Sequence, residues 1–356
     1  MWLELIRDFL QDLRAHRTRA LLTFVAITWG TVSVVLLLSF GEGLGSAMLH
    51  GLTGAGNKIM IVYGGETGRA FQGLPKGRRL QFVEDDVDLL RRAVPEIEMA
   101  SPQYRTNVTL TNGRFQITTE CEGVNAEFEE MRTMYPAGGG RFLNSLDVTE
   151  ERRVLFLGPE IAGEVFGTVD PVGRSVLVDN VPFIVVGIME KKLQTSMNNG
   201  PDARRAIMPY TTFRNLYGNQ FVNSVVLRPS DPGRQAFIKG ELYRVLGRKY
   251  RFDPQDERAL AIWDFIEGEK INRKINFGMS IFLGSVGFLT LLIAGVGVAN
   301  VMYVVVKERT REIGIKMAIG ARRSYILAQF VFEALFIALL GGAAGILLSW
   351  AVVSVV

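Results

Sequence analysis

Three long apolar stretches divide the chain, at residues 21–40, 275–306 and 325–356. Apart from Glu333 in the last of them, they contain no charged side chain. A helix needs about 20 apolar residues to cross a hydrocarbon core of roughly 30 Å, and each stretch meets that length. We therefore predict three transmembrane helices. A cleavable signal peptide is the alternative for the first stretch, but its apolar core exceeds the roughly 7–15 residues usual for that role.

Residues 1–20 precede the first predicted span and carry apolar side chains at a spacing of three and four, followed by a basic cluster. The apolar positions are Trp2, Ile6, Phe9, Leu10 and Leu13. This spacing predicts one face of an amphipathic helix that lies on the cytoplasmic leaflet. Because the basic residues come before the span, we expect the N-terminus to remain in the cytoplasm.

The region 41–274 alternates short apolar runs with turn residues and amphipathic segments, which predicts a mixed α+β domain outside the cytoplasm. Its predicted strands are 58–62, 107–110, 115–119, 154–157, 175–178, 182–188 and 204–208, and its predicted helices are 84–94, 160–166 and 232–246. Asn112-Gly113 and Asp179-Asn180 predict tight hairpin turns. In the last helix we expect Phe237, Leu242 and Val245 to point inward. Residues 43–52 and 263–274 are predicted to form stalks beside the spans.

A short charged linker, residues 307–324, separates the second and third spans. Its excess of lysine and arginine places it on the cytoplasmic side. With Ile313 and Met317 on one stripe it predicts a short amphipathic helix, which Gly320 is well placed to end. A helix of this kind suits docking to a soluble partner, although an ordinary charged loop at the membrane surface is the simpler interpretation.

Several glycines lie within the second and third spans, including Gly284 and Gly287 in one and Gly341-xxx-Gly345 in the other. Small residues at this spacing let membrane helices pack closely, although glycine is also common in such helices for other reasons. Glu333 lies near the cytoplasmic end of the third span. It is a proton or substrate group, or it pairs with the linker arginines or reaches the membrane interface.

Composition narrows the chemistry further. The 356 residues carry 40 Lys and Arg against 36 Asp and Glu, and this small excess lies beside the spans, so nucleic acid is not an expected partner. One cysteine and two histidines exclude a disulfide framework or a cysteine- or histidine-rich metal centre. The sequence holds no P-loop and no nucleophile elbow. We expect a chain that is not an enzyme and binds no cofactor directly.

The linker sequence Glu308-Arg309-Thr310-Arg311-Glu312-Ile313-Gly314-Ile315, followed by Ala318-Ile319-Gly320-Ala321, resembles the cytoplasmic signature of the MacB/FtsX-like permeases of ABC transporters. The basic segment before the first span, the Gly41-Glu42-Gly43-Leu44 exit and the blocks Gly140-Arg141-Phe142 and Asp170-Pro171-Val172-Gly173 resemble the same family. The resemblance covers nearly the whole chain in the family's order.

The resemblance implies a multi-pass protein of the bacterial inner membrane that pairs as a homodimer or with another permease. It implies a cytoplasmic ABC ATPase partner, which binds the ATP and magnesium, and a periplasmic adaptor protein. The expected coupling residues are Glu308, Arg309, Arg311, Glu312, Ile313, Ile315 and Met317. ATP-driven movement of the linker would then move the external domain, which is called mechanotransmission. A lateral insert is expected near residues 120–205.

Three functions remain open within this family. The first is a permease that exports or extracts amphiphilic molecules. The second is an FtsX-like scaffold that controls an envelope enzyme, and the third is a lipoprotein-release permease. Family members usually have a fourth span, whereas this sequence ends at Val356 within an apolar run, so we expect a truncated chain.

Overall fold

The computed structural model describes residues 17–54, 56, 58–194 and 200–355. They form two compact units. The membrane unit consists of the described residues up to Ser46 together with those from Arg273 onward, and the α/β unit consists of the described residues of Ala47–Asn272. The predicted amphipathic helix at residues 1–20 lies almost entirely outside the described residues, which begin at Arg17.

Helices and strands alternate along the described residues. The helices are α1 (Arg17–Gly54), α2 (Asp85–Ala93), α3 (Phe128–Met131), α4 (Ser145–Thr149), α5 (Pro159–Phe166), α6 (Tyr210–Tyr217), α7 (Gln235–Tyr250), α8 (Phe265–Glu308), α9 (Thr310–Ala318) and α10 (Arg323–Val355). The strands are β1 (Met60–Gly64), β2 (Ile97–Asn112), β3 (Phe115–Val124), β4 (Val154–Leu157), β5 (Ser175–Val178), β6 (Val181–Ile188), β7 (Arg205–Pro209), β8 (Ser224–Pro229) and β9 (Leu260–Asp264).

Within the described chain, α1, α8 and α10 are long and apolar enough to cross a membrane. The apolar part of α1 is Leu21–Leu49, while α8 spans 44 residues. The fold class predicted from the sequence, three spans with a mixed α/β domain between the first and second, is confirmed. The residues Trp263 and Asp264, which we predicted to begin a helical stalk, instead end strand β9, and the helix begins at Phe265.

The nine strands of the α/β unit form a sheet in the order β3-β7-β4-β6-β5-β2-β8-β1-β9. Strand β2 is shared between two parts of it. Its beginning, up to Gln103, pairs with β8, and its remainder, from Tyr104, pairs with β3. Because Leu110 and Thr111 also pair with β5, the strands from β3 to β5 close on β2 as a ring. Strands β8, β1 and β9 extend the sheet from this ring.

The two tight turns follow the rule for hairpins, in which positive φ matches the twist of the strands. Gly113, at the β2–β3 turn, has a φ of 60°, and Asp179 and Asn180, at the β5–β6 turn, have φ values of 45° and 68°. Both predicted hairpins are therefore present.

The side chains of each buried strand alternate between two apolar cores. On β7, Ala206 and Met208 enter a large core that also holds residues of α2, α5 and α7, whereas Ile207 enters a smaller core with Phe128 and Met131. In α7 the inward residues are Ile238, Leu242, Val245 and Leu246. The prediction for Phe237 is wrong, because its side chain is 46% exposed.

A cluster of buried charged side chains lies between α3, β3 and β7. Arg132 Nη2 donates to Asp202 Oδ1 at 2.7 Å, and Lys192 Nζ lies 2.8 Å from Asp202 Oδ2. Arg205 bonds to Glu122, and its Nη1 lies 3.4 Å from Asp202 Oδ1. The side chains of Arg132 and Asp202 are completely buried, and the Asp202 carboxylate compensates the charge of Arg132.

Candidate functional site

The predicted linker helix is present as α9, which follows α8 after one residue, Arg309. Backbone hydrogen bonds continue across the junction between α8 and α9, because Arg309 N donates to Val305 O and Ile313 N donates to Arg309 O. The helix ends where predicted. Gly320 has a φ of 99°, which suits glycine, and its amide donates to Met317 O while the next amide, that of Ala321, donates to Lys316 O.

No residue of α9, whose whole length is described, is buried. Ile315 is 56% exposed and Met317 is 40% exposed, and Ile319 just beyond the helix is 82% exposed. Glu312 and Lys316 form an ion pair of 2.7 Å one turn apart, and this hydrogen bond lowers the pKa of the Glu312 carboxyl. The helix thus presents apolar side chains beside charged ones on its exposed surface.

Arg309 connects the linker to the third span. Its Nη1 lies 3.6 Å from Glu333 Oε1 of α10, and about a tenth of each side chain is exposed. Gln329 Nε2 also donates to Glu333 Oε1, at 3.5 Å. Of the three sequence interpretations of Glu333, this geometry fits the pairing with a linker arginine. Because this ion pair is little exposed to solvent, it positions the linker relative to α10 more firmly than an exposed pair would.

Helix α10 packs directly on α1 through Gly341 and Gly345. A Cβ on Gly341 would lie 3.0 Å from Ile27 Cβ, and one on Gly345 would lie 2.7 Å from Thr31 Cβ. Thr28 Oγ1 donates to Gly341 O at 3.1 Å, which adds an interhelical hydrogen bond. The approach is close because glycine leaves no side chain between the two backbones.

Gly284 and Gly287 of α8 differ in how closely a neighbouring helix approaches them. A Cβ on Gly287 would lie 3.1 Å from Val34 Cγ1 of α1, whereas no described atom lies within 4 Å of a Cβ built on Gly284. Helix α1 therefore contacts both other spans, α8 at Gly287 and α10 at Gly341 and Gly345. Of the four glycines singled out in the sequence, Gly284 takes no part in these contacts.

The predicted coupling residues lie in one continuous segment, but their environments differ. Glu308 ends α8, Arg309 is held near Glu333, and Ile313 is partly buried, while Arg311, Glu312, Ile315 and Met317 are exposed. The sequence did not single out the α1 residues Ile27, Thr28 and Thr31, which receive the α10 glycines. The sequence feature that marks them is two threonines at helical spacing, next to an isoleucine, within an apolar stretch.

In the part of the chain that the structure describes, no group of three or more His, Cys, Asp or Glu residues is placed to hold a metal ion. The linker presents an exposed helix, and Arg309 just before that helix contacts α10.

Family comparisons agree with this architecture. The profile of the MacB-like periplasmic core domain matches residues 20–242, and that of the FtsX-like permease C-terminal domain matches residues 284–356. Three apolar helices, an α/β domain after the first and a charged linker before the third define a membrane protein of the permease class. The chain belongs to the MacB-like family of FtsX-like permeases, which confirms the resemblance seen in the sequence.

Curated relatives cover almost all of this chain. It is 30% identical over 355 residues to the macrolide export ATP-binding/permease protein MacB of Neisseria gonorrhoeae, covering 99% of this chain and 53% of that protein. It is 29% identical over 348 residues to the pyoverdine export ATP-binding/permease protein PvdT of Pseudomonas aeruginosa, covering 98% and 50%. The chain spans about half the length of the curated relatives it matches.

Similar solved structures include the periplasmic region of MacB from Actinobacillus actinomycetemcomitans, with a TM-score of 0.49 and 18% identity, covering 63% of this chain and 95% of that one. The extracellular domain of the ABC-type transporter YknZ gives a TM-score of 0.48 and 14% identity, covering 58% and 100%.

Proposed function

We propose that this chain is the permease part of a MacB-type ABC exporter, and that it couples ATP hydrolysis by a cytoplasmic ATPase to movement of the α/β domain outside the cytoplasm. The single observation that carries the proposal is the connection from the linker to α10 through Arg309 and Glu333. It gives an exposed helix a direct contact with a membrane span.

The proposed path of movement continues within the membrane unit. Movement of α9 displaces α10 through the Arg309–Glu333 pair, and α10 displaces α1 because Gly341 and Gly345 leave no gap between them. Helices α1 and α8 each contribute residues to both units: the C-terminal end of α1 and the N-terminal end of α8 belong to the α/β unit. Tightly packed elements transmit displacement because they have little room to deform.

The exposed side chains of α9 are the proposed contact with the ATPase, which would bind the ATP and magnesium. In this proposal the chain resides in the bacterial inner membrane with its N-terminus in the cytoplasm, pairs with itself or with another permease, and works with a periplasmic adaptor. The relatives named for macrolide and pyoverdine export favour export of amphiphilic molecules over a regulatory scaffold or lipoprotein release.

The test is purification of the tagged chain from its native membrane, with and without Ile315→Asp. Ile315 is 56% exposed, so a charge there leaves the fold intact and removes an apolar contact. We expect an ATPase with Walker motifs to co-purify with the native chain and to be lost with the variant.

The matched control is Phe115→Asp, because Phe115 is also 56% exposed but lies at the β2–β3 turn. It should retain the ATPase. Recovery of the ATPase with Ile315→Asp, or its absence from the native chain as well, would contradict the assigned role of α9.

A further inference from the structure

Helix α8 has one side that packs on this chain and another that is exposed along the whole span. On the packed side, Gly287 meets Val34 of α1, and Ala294 is partly buried. On the opposite side, Ile293 is 74% exposed and Val296 is 69% exposed. The exposed residues of the opposite side, which we call the α8 seam, recur at alternating steps of four and three: Phe282, Val286, Leu289, Ile293, Val296, Asn300 and Tyr303.

One polar residue distinguishes the α8 seam from the other exposed surface of the helix. In an apolar span every face is hydrophobic, so spacing alone selects none of them. Asn300, however, carries an amide into this face. Seven residues separate it from Lys307, so it lies about 10 Å along the axis from the charged linker.

The Asn300 side chain has no hydrogen-bond partner in the part of the chain that the structure describes. The hydroxyls of Ser285 and Thr290 in the same helix differ, because each donates to a backbone carbonyl one turn earlier. An amide without a partner is unfavourable in hydrocarbon, and asparagines in spans bond to neighbouring helices. Asn300 therefore marks the face on which α8 meets another helix.

The residue types along the α8 seam agree with a two-stranded pair. Alternating steps of four and three average 3.5 residues per turn, the spacing of a left-handed coiled coil, and the seam covers three such repeats. Val286, Ile293 and Asn300 occupy equivalent positions seven residues apart, and Leu289 lies at the other seam position. In parallel coiled coils, β-branched residues at the first position with leucine at the second favour two strands. A single asparagine at the first position fixes the register.

We propose that α8 packs along the α8 seam against α8 of a second copy of this chain, with the two Asn300 amides bonded to each other. Two copies cross the membrane in the same direction, so residues of the same number lie at the same depth. An amide both donates and accepts, so Asn300 is complementary to itself across a two-fold axis. A different helix would have to supply its own polar group at this depth.

This inference specifies the surface for the pairing included in the proposed function, and it is independent of the assigned role of α9. Gly297, one turn before Asn300, favours close approach, because no described atom lies within 4 Å of a Cβ built there.

The first test is disulfide cross-linking of single-cysteine variants of the tagged chain in its native membrane. The native Cys121 is buried, so the introduced cysteine is the exposed thiol. Facing seam positions of a close pair lie within reach of a disulfide, which needs Cα atoms about 4.4–6.8 Å apart. We expect an oxidant to link Ile293→Cys and Val296→Cys into dimers. Leu292→Cys and Ala299→Cys are the matched controls, because both residues are exposed but lie outside the seam, and they should remain monomers.

The second test measures self-association of labelled copies in lipid bilayers by energy transfer. Asn300→Val should weaken it roughly 3–30-fold, the range expected for one hydrogen bond between membrane helices, and Asn300→Gln should restore part of the loss. Thr290→Val is the control, since the Thr290 hydroxyl bonds within its own helix, and it should leave association unchanged.

Cross-linking that peaks at Leu292 and Ala299, equal yields at all four positions, or no dimer at all would overturn the proposal. So would a cross-linked product with a mass other than that of two copies, or equal association of Asn300→Val and Thr290→Val. An ATPase that still co-purifies in any of these cases would leave the assigned role of α9 standing, so the two proposals fail separately.

Discussion

Gly345 of α10 faces Thr31 of α1 so closely that a Cβ on the glycine would lie 2.7 Å from the Thr31 Cβ and 3.0 Å from Thr28 O. Two backbones meet here with no side chain between them. A methyl group therefore cannot be added unless the two helices move apart.

Gly345→Ala should lower the stability of the membrane unit by roughly 1–3 kcal/mol, which is the usual cost of overpacking a tight contact. The measurement is thermal unfolding of the purified chain in detergent. Gly342→Ala is the control on the same helix, because no described atom lies within 4 Å of its Cβ. It should leave the midpoint unchanged or slightly raised. Equal midpoints for the two variants would show that α1 and α10 do not pack this way.

Asp202→Asn should destabilise the α/β unit by roughly 3–5 kcal/mol, because it leaves Arg132 buried without its counter-charge. Chemical unfolding of the full chain measures this cost. Glu150→Gln is the control, since the Glu150–Arg152 pair is exposed and its loss should change stability by only about 0.5 kcal/mol. A cost for Asp202→Asn as small as that of the control would mean that water reaches the cluster.

The same carboxylate gives a pH dependence. Burial acts to raise the pKa of Asp202, but Arg132, Lys192 and Arg205 outweigh it and hold the pKa below its ordinary value of 3.8. The unfolded chain therefore binds this proton more readily than the folded chain. The stabilisation is fully present above pH 3.8 and is lost as the pH falls through the lower folded value.

Glu120 lies close to the same cluster, and burial raises its pKa. It therefore lowers the stability of the folded chain as the pH rises above its ordinary value of 4.5. Both chains contain Glu120, so its contribution cancels when the unfolding free energy of Asp202→Asn is subtracted from that of the native chain. That difference in unfolding free energy should be constant near neutral pH and shrink below pH 3.8, by at most about 1.4 kcal/mol per pH unit. A difference that stays constant at every acidic pH would contradict the depressed pKa.

Cys121 should not react with maleimides in the folded chain. Its side chain is completely buried on β3, and burial followed by repulsion from Glu122 raises the pKa of the thiol well above its ordinary value, so the reactive thiolate is scarce. Mass spectrometry should show labelling only after the chain is unfolded. Rapid labelling under native conditions would mean that the ring of strands opens readily.

This inertness allows a single engineered cysteine to report on the linker. A spin label at Ile315→Cys should become more mobile when Glu333→Gln removes the carboxylate that Arg309 contacts, because Arg309, the residue before α9, then loses its ion pair with α10. Electron paramagnetic resonance measures this mobility. Glu312→Gln is the control, since its pair with Lys316 lies within α9 itself and should leave the label's mobility nearly unchanged. Equal spectra for all three chains would contradict the positioning role of Arg309.

The elements that the sequence predicted well are those with local signals. The three spans follow from the apolar runs, and the β2–β3 turn follows from Asn112-Gly113, because each depends on residues close in sequence. The missed strands β8 and β9 carry no turn dipeptide at their ends. Strand β8 is buried along its whole length and shows no alternation, so its apolar run does not distinguish strand from helix.

The prediction for Phe237 assigned this residue to the wrong face of α7. Ile238, Leu242 and Val245 recur at four and three residues, whereas Phe237 and Leu242 are five apart and cannot share one face of a helix. For the candidate site, the sequence indicated the linker helix and the glycine positions because each of these features lies within a single segment of the chain. The pairing of Arg309 with Glu333 and the contact of Gly345 with Thr31 join distant segments, so only the folded chain shows which residues meet.

Strand β2 has a consequence for anyone who shortens this protein. The ring of strands uses β2 from Tyr104 onward, and both β3 and β5 bond to it, while the insert was predicted only near residues 120–205. Excision at those limits would remove β5 and the second half of β3, and would leave backbone groups of β2 without their strand partners. Such bare edges recruit neighbouring chains, so a trimmed version should precipitate unless the cut falls before Tyr104 and the strand is shortened with its partners.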